Sequence, residues 1–149
     1  MNQAIRVTKK FTFEAAHALD GYSGKCKDIH GHSYKLSVTL RGEPNTNIED
    51  EKCGMLIDFS DLKTIVETKI ISLFDHRLIL RDDSRFKGIE IKNSRVRYVS
   101  YQPTCENMLL EILRLLQPEF SIENDLELVH LVLYETANSA SEWRIEDNL

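Results

Sequence analysis

Three of the five histidines, His17, His30 and His32, fall close together in the first part of the chain. On an extended segment His30 and His32 point to the same face, because successive side chains alternate between two sides. Gly31 between them leaves the opposite side open. Three neutral imidazoles with one coordination position left over are the donor set of a catalytic zinc site. Cys26 lies just ahead of His30 and adds a thiol to the same region. As a fourth ligand it would close the site into a structural centre, and the spacing alone accommodates either arrangement. Further along, Asp75-His76 offers a carboxylate orienting an imidazole, suited to proton transfer near neutral pH. The same dipeptide is equally at home in a turn that ends a helix.

These residues need elements that bring them together. Ile5, Val7, Phe11, Phe13 and Ala15 fall on one parity and predict a strand over 5–17 that ends at His17. Tyr34, Leu36, Val38 and Leu40 alternate in the same way and predict a second strand ending near Arg41-Gly42. The loop from Asp20 to Asp28 joins them into a long hairpin, which sets His17 near His30. The polar stretch Glu43 to Lys52 is a loop. Leu62, Ile65, Val66, Ile70 and Leu73 keep helical spacing, with Ser60 as N-cap and an end near Phe74, just before Asp75-His76. The charged segment Arg81 to Arg97 reads as a surface excursion, and one further short strand is expected at Met55 or over Val96 to Tyr101.

Pro103-Thr104 opens a second helix with Thr104 as cap and Met108, Leu109, Ile112, Leu113 and Leu116 on its apolar face. Pro118 stops it. The strand from Leu126 to Glu135 carries apolar residues on both parities, the pattern of a strand covered on both faces. His130 within it reads as a core or sheet-face histidine, not a ligand. The sum is an α+β domain, an antiparallel sheet with two helices on one face.

With 149 residues, a single domain spanning 1–149 is expected. The formal net charge of -5 argues against nucleic acid or an anionic membrane as partner. It does not exclude a phosphorylated small substrate, since lysines can cluster locally. Cys26, Cys53 and Cys105 are odd in number and irregularly spaced, so no disulfide framework follows and a reducing compartment is expected. The N-terminal residues lack the apolar core of a signal peptide, and no apolar stretch is long enough to cross a bilayer. A soluble, cytoplasmic protein is the expectation.

Phe13-Glu14-Ala15-Ala16-His17 followed by Cys26-x-x-x-His30-Gly31-His32 resembles the signature of the 6-pyruvoyltetrahydropterin synthase superfamily. Matches continue in family order through Gly54-Met55-Leu56-Ile57-Asp58-Phe59, Phe74-Asp75-His76, Pro103-Thr104-x-Glu106-Asn107 and Tyr134-Glu135-Thr136. The short gap between Cys26 and His30 is similar to the 6-carboxy-5,6,7,8-tetrahydropterin synthases of queuosine biosynthesis. The pyruvoyl-forming enzymes usually carry a longer gap. The tail from Ala137 to Trp143 lacks a cysteine often seen there.

The resemblance implies the tunnelling fold, in which subunits form trimers whose strands close a barrel, commonly stacked into a homohexamer. It implies a zinc ion on His17, His30 and His32 and 7,8-dihydroneopterin triphosphate as substrate. The products would be 6-carboxytetrahydropterin, acetaldehyde and triphosphate, with a 6-pyruvoyl product or a non-catalytic zinc-stabilised pterin-binding module as the other readings. Beside the metal, Cys26 would be a thiolate acting as general base. Asp75 and His76 would transfer protons, from a neighbouring subunit. Glu135 would accept two hydrogen bonds from the amino-pyrimidinone edge of the pterin. Thr104 and Glu106 are further candidate substrate contacts, although an acid in the first turn of a helix also favours the dipole. Lys25 and Lys27 flank Cys26 as candidate triphosphate contacts, and Asp58 is read as structural.

Overall fold

In the computed structural model, residues 3–88, 95–120 and 125–149 are described. The chain begins with β1 (Ile5–His17) and β2 (His30–Gly42), paired antiparallel along their whole length. Phe11, Phe13, Ala15 and His17 are buried on β1, and Tyr34, Leu36, Val38 and Leu40 on β2. The register sets Phe13 opposite Tyr34, Ala15 opposite His32 and His17 opposite His30. The rings of Phe13 and Tyr34 stack at 5.0 Å, so a cross-strand aromatic pair fixes this register next to the histidines.

Helix α1 (Phe59–Val66) runs on through a π-helical turn (Glu67–Ile71) and a last α-helical turn (Ser72–Phe74). Leu62, Val66, Ile70 and Phe74 are fully buried, each four residues after the last. Steps of four drift about 40° per step around a helix of 3.6 residues per turn. The wider π turn takes up that drift and keeps all four side chains on the core. The N-cap is Asp58, not Ser60: the Asp58 carboxylate accepts from the Ser60 amide at 2.8 Å and its hydroxyl at 2.7 Å. A carboxylate beside the first turn satisfies orphan amides and favours the helix dipole, so the helix starts before Ser60. Helix α2 (Cys105–Leu116) begins at Thr104 as expected, whose side chain accepts from the Asn107 amide. Met108, Leu109, Ile112 and Leu116 bury, Leu113 sits at the rim, and Pro118 falls in a closing 3-10 turn.

Four further strands are β3 (Arg77–Arg81), β4 (Arg95–Val99), β5 (Leu126–Thr136) and β6 (Ser139–Arg144). They extend the hairpin into a sheet of order β4-β3-β1-β2-β5-β6. The sheet is mixed rather than wholly antiparallel, because β3 runs parallel to both β1 and β4. Of the two places for an extra strand, the one at Val96 forms, and Met55 lies outside any strand. Part of the 81–97 excursion, residues 89–94, lies outside the described residues.

Both helices pack on one face, where their apolar stripes join Phe11, Phe13, Tyr34, Leu36, Leu131 and Leu133 in one core. The mixed parity of β5 has a local cause. The β2 register shifts between Thr39 and Leu40, leaving Val129 as the extra residue of a bulge. The inward parity therefore changes there, so that Leu128, Val129, Leu131 and Leu133 are all buried. The other face of β5 is not fully covered: it carries His130 and Tyr134, the latter 39 % exposed. His130 faces Glu142 at 2.5 Å there, away from the other histidines.

Candidate metal centre and its surroundings

The hairpin delivers His17 at the end of β1 directly across from His30 at the start of β2, with His32 one alternation further on. Their ligand atoms all lie within 4.8 Å of one another. The Nδ1 of His17 donates to the Pro103 carbonyl at 2.6 Å, and that of His30 to the Asp28 carbonyl at 2.7 Å. Each bond places the ring proton on Nδ1 and leaves Nε2 as a bare lone pair. The two Nε2 atoms nevertheless stand 2.9 Å apart. With no proton between them, two acceptors at that distance repel, and a cation answers that repulsion. Two nitrogens at tetrahedral angles on zinc would stand about 3.3 Å apart, close to the spacing found. The His32 Nε2 is buried with no hydrogen-bond partner among the described residues, the kind of orphan that metal ligation satisfies.

Electrostatics favour the ligating form. Burial pulls His17 below the ordinary histidine range, against the Pro103 carbonyl, which pulls the other way. Burial also lowers His32, partly opposed by Glu135. Both rings are therefore neutral near pH 7. Tyr34, edge-on to His17 and His32, is pushed far up by burial and then by Glu135, and remains a phenol. The donor set and its geometry thus fit a divalent metal of the zinc class.

The other expected residues divide into those at this centre and those away from it. The Glu135 carboxylate approaches His32 Nε2 at 3.7 Å and His17 Nε2 at 4.0 Å, on the same sheet face. Cys26 sits half-buried in a 3-10 turn (Lys25–Lys27), with Lys25 and Lys27 exposed on either side. The Leu19 amide donates to the Cys26 carbonyl at 2.9 Å and pinches the loop at its neck. Thr104 is occupied as helix cap, and Glu106 is exposed in the first turn of α2.

Asp75 and His76 form the expected pair, with Asp75 Oδ2 3.0 Å from His76 Nδ1. Asp75 Oδ1 also accepts from the Glu14 amide at 2.9 Å, and the His76 amide donates to the Glu14 carbonyl. Burial raises the Asp75 carboxyl, but the Glu14 amide and the His76 side chain outweigh it and hold it below the usual range. Among the described residues no hydrogen bond or ion pair joins the pair to the three histidines; it lies beside Glu14, whose side chain alternates to the sheet face opposite His17. There it borders a groove of about 530 Å³ shared with Ser33, Arg77 and Arg95, and His32 also contributes to its wall. The carbonyls of Pro103 and Asp28, which orient two of the imidazoles, were not legible in the sequence, because a backbone acceptor has no side-chain signature.

Residues 6–146 match the family described as 6-pyruvoyl tetrahydropterin synthase. A 6-carboxy-5,6,7,8-tetrahydropterin synthase of Haemophilus influenzae is 34 % identical over 145 residues, covering 94 % of this chain and 99 % of that one. One of Rickettsia typhi is 33 % identical over 137 residues, covering 90 % and 96 %. Among solved structures, the 6-pyruvoyl tetrahydropterin synthase of Caenorhabditis elegans superposes with a TM-score of 0.68 at 24 % identity, covering 96 % of each chain. An uncharacterized protein of Wolinella succinogenes superposes with a TM-score of 0.76 at 19 % identity, covering 96 % of this chain and 99 % of that one, a likeness of fold. A family match over nearly the whole length, joined to this arrangement of imidazoles, leaves one assignment: the chain belongs to the 6-pyruvoyl tetrahydropterin synthase family.

Proposed function

We propose that the protein is a zinc-dependent carbon–carbon lyase that converts 7,8-dihydroneopterin triphosphate to 6-carboxy-5,6,7,8-tetrahydropterin. Acetaldehyde and triphosphate leave, and atom balance requires one water to be taken up. The observation that carries this reading is the convergence of three imidazole nitrogens, two of them held as lone pairs by backbone carbonyls. The relatives that are 33 % and 34 % identical bear the carboxy-forming name, which favours that product over the 6-pyruvoyl one. The pyruvoyl-forming structures share the fold at lower identity.

Zinc held by His17, His30 and His32 would acidify the side-chain hydroxyls of the substrate. Cys26 stands on the loop leading to His30 and is the base toward the side-chain carbons. Glu135 holds the amino-pyrimidinone edge of the pterin, with Thr104 and Glu106 as candidate neighbours. His76, oriented through Nδ1 by Asp75, keeps Nε2 for proton transfer. Because it stands on the other sheet face, it serves the site of a neighbouring subunit. The open edges of β4 and β6 support such assembly, into a homohexamer built as a dimer of trimers. Lys25 and Lys27 are the candidate triphosphate contacts, and the place of work is the cytoplasm, in queuosine biosynthesis.

Mass spectrometry of the reaction mixture tests the proposal. The expected result is 6-carboxytetrahydropterin with equimolar acetaldehyde. A dominant 6-pyruvoyl product would move the chain to the other branch of its family, and no release of triphosphate would leave a pterin-binding module.

A further inference from the structure

The loop that carries Cys26 is fastened to the body of the protein by one amide side chain. Gln102 Oε1 accepts from the Asp20 amide at 3.2 Å, while its Nε2 donates to the Asp20 carbonyl at 2.7 Å. Both ends of the side chain thus engage the backbone of one residue, as a neighbouring strand would. The carbonyl end must face the N–H and the amino end the C=O, so only one orientation of the amide works. Asp20 adjoins Leu19, whose own amide holds the Cys26 carbonyl. The path from Gln102 to Cys26 therefore runs through two short contacts and one peptide unit.

Further contacts tie this clamp to the metal centre and to its surroundings. The next residue, Pro103, supplies the carbonyl that orients His17. The backbone carbonyl of Gln102 accepts from the Thr104 amide at 2.7 Å and from the Asn107 side chain at 3.0 Å, which anchors it to the start of α2. On the far side of the loop, the Arg85 amide donates to Asp20 Oδ1 at 3.0 Å, and the Arg85 guanidinium reaches the Lys27 carbonyl. The segment that fixes His17 is thus the segment that fixes the Cys26 loop.

The geometry points to Gln102 as a positioning residue, which holds the Cys26 loop in place against the three-histidine site without touching the reacting atoms. This rests on the reading of Cys26 as the general base. A misplacement of about 1 Å at a reacting group costs on the order of 100-fold in rate, so a slack loop should be visible in turnover.

The test uses the full-length, zinc-loaded protein with Gln102→Ala and Gln102→Glu. The glutamate has nearly the same size and still accepts from the Asp20 amide, but presents a carboxylate oxygen to the Asp20 carbonyl. Two readouts are taken. The first is tryptic cleavage after Lys25 or Lys27, both within the loop. It should quicken by about 10-fold or more in either variant, as expected when local hydrogen bonds are lost. The second is turnover, where kcat should fall by roughly 10- to 100-fold while KM changes little and zinc content does not change. Gln102→Glu behaving as wild type would overturn the inference, since it would show that side-chain bulk is enough. Faster cleavage with unchanged kcat would overturn it too, because the loop would then be held for no catalytic purpose. Cys26→Ala in parallel separates the two ideas. If that variant keeps full turnover, the base reading falls, and a kcat loss in Gln102→Ala would then have to act elsewhere, which also overturns the positioning role.

Discussion

His17 Nδ1 lies 2.6 Å from the carbonyl oxygen of Pro103, although 86 residues separate them. The bond fixes the tautomer of the most deeply buried of the three histidines and ties the end of β1 to the start of α2. Loss of that ring should disturb both. His17→Ala, His30→Ala and His32→Ala should each lose most of the bound zinc, against about one zinc per chain in the wild type. His17→Ala should also lower the melting temperature most, since it opens a buried space and breaks the link to α2. Elemental analysis with thermal melts checks this, and zinc retained by all three variants would remove the metal assignment.

Cys26 distinguishes a catalytic site from a closed structural one. Cys26→Ala should keep zinc and fold while turnover drops by about 10²–10⁴-fold, the usual contribution of a positioned base. Loss of zinc together with a lower melting temperature would instead identify the thiol as the fourth ligand, because metal binding and folding are coupled.

The placement of Asp75–His76 beside Glu14, with no bond to the three histidines among the described residues, predicts shared sites. Cys26→Ala and His76→Ala should each be inactive alone. Mixed oligomers assembled from the two should recover part of the wild-type rate, because some sites draw an intact Cys26 from one chain and an intact His76 from another. An assembly-competent mixture with no recovery would place both groups in a single chain's site.

Burial lowers the folded-state pKa of His17 and His32 below the ordinary histidine value. The sign for the metal-free protein follows from proton uptake. Below the unfolded value of about 6.5 the unfolded chain binds protons that the folded rings refuse, so stability falls as pH falls. Above that value the term is fully present and flat. Melting temperatures of the metal-free protein should therefore decline from pH 7 toward pH 5, with a shallower decline in His17→Gln. Equal slopes for both proteins would show that the His17 ring carries no such linkage.

The long hairpin, the paired histidines and the Thr104 cap were legible because each leaves a local mark: alternation, an H-x-H pair, a Pro-Thr before an apolar stripe. Strand β3 was missed because Leu78, Ile79 and Leu80 are buried on both sides and show no alternation over so short a run. Strand β6 was missed because Ser139 to Arg144 is a polar edge with little apolar content. Parallel pairing between β1 and β3 depends on where the chain returns after α1, which no local pattern records. Glu135 was legible as a candidate only through its motif, and its closeness to His17 and His32 follows from the strand partnership of β2 and β5. Gln102 left no mark at all, since its partner is a backbone some 82 residues away.

His76 adopts φ of 56°, a left-handed backbone in the turn between the end of α1's last turn and β3. An L-residue there gives up about 1–2 kcal/mol relative to a conformation it prefers, and glycine would not. The imidazole returns little of this through packing, because its side chain is 74 % exposed and its pair with Asp75 lies at the surface. Folding alone would thus accept a glycine at this corner, whose relief of strain and greater unfolded freedom nearly offset each other. His76→Gly should melt close to the wild type and yet turn over no substrate. The turn is a place where the chain trades conformational comfort for a ring, and the two can be separated by a single substitution.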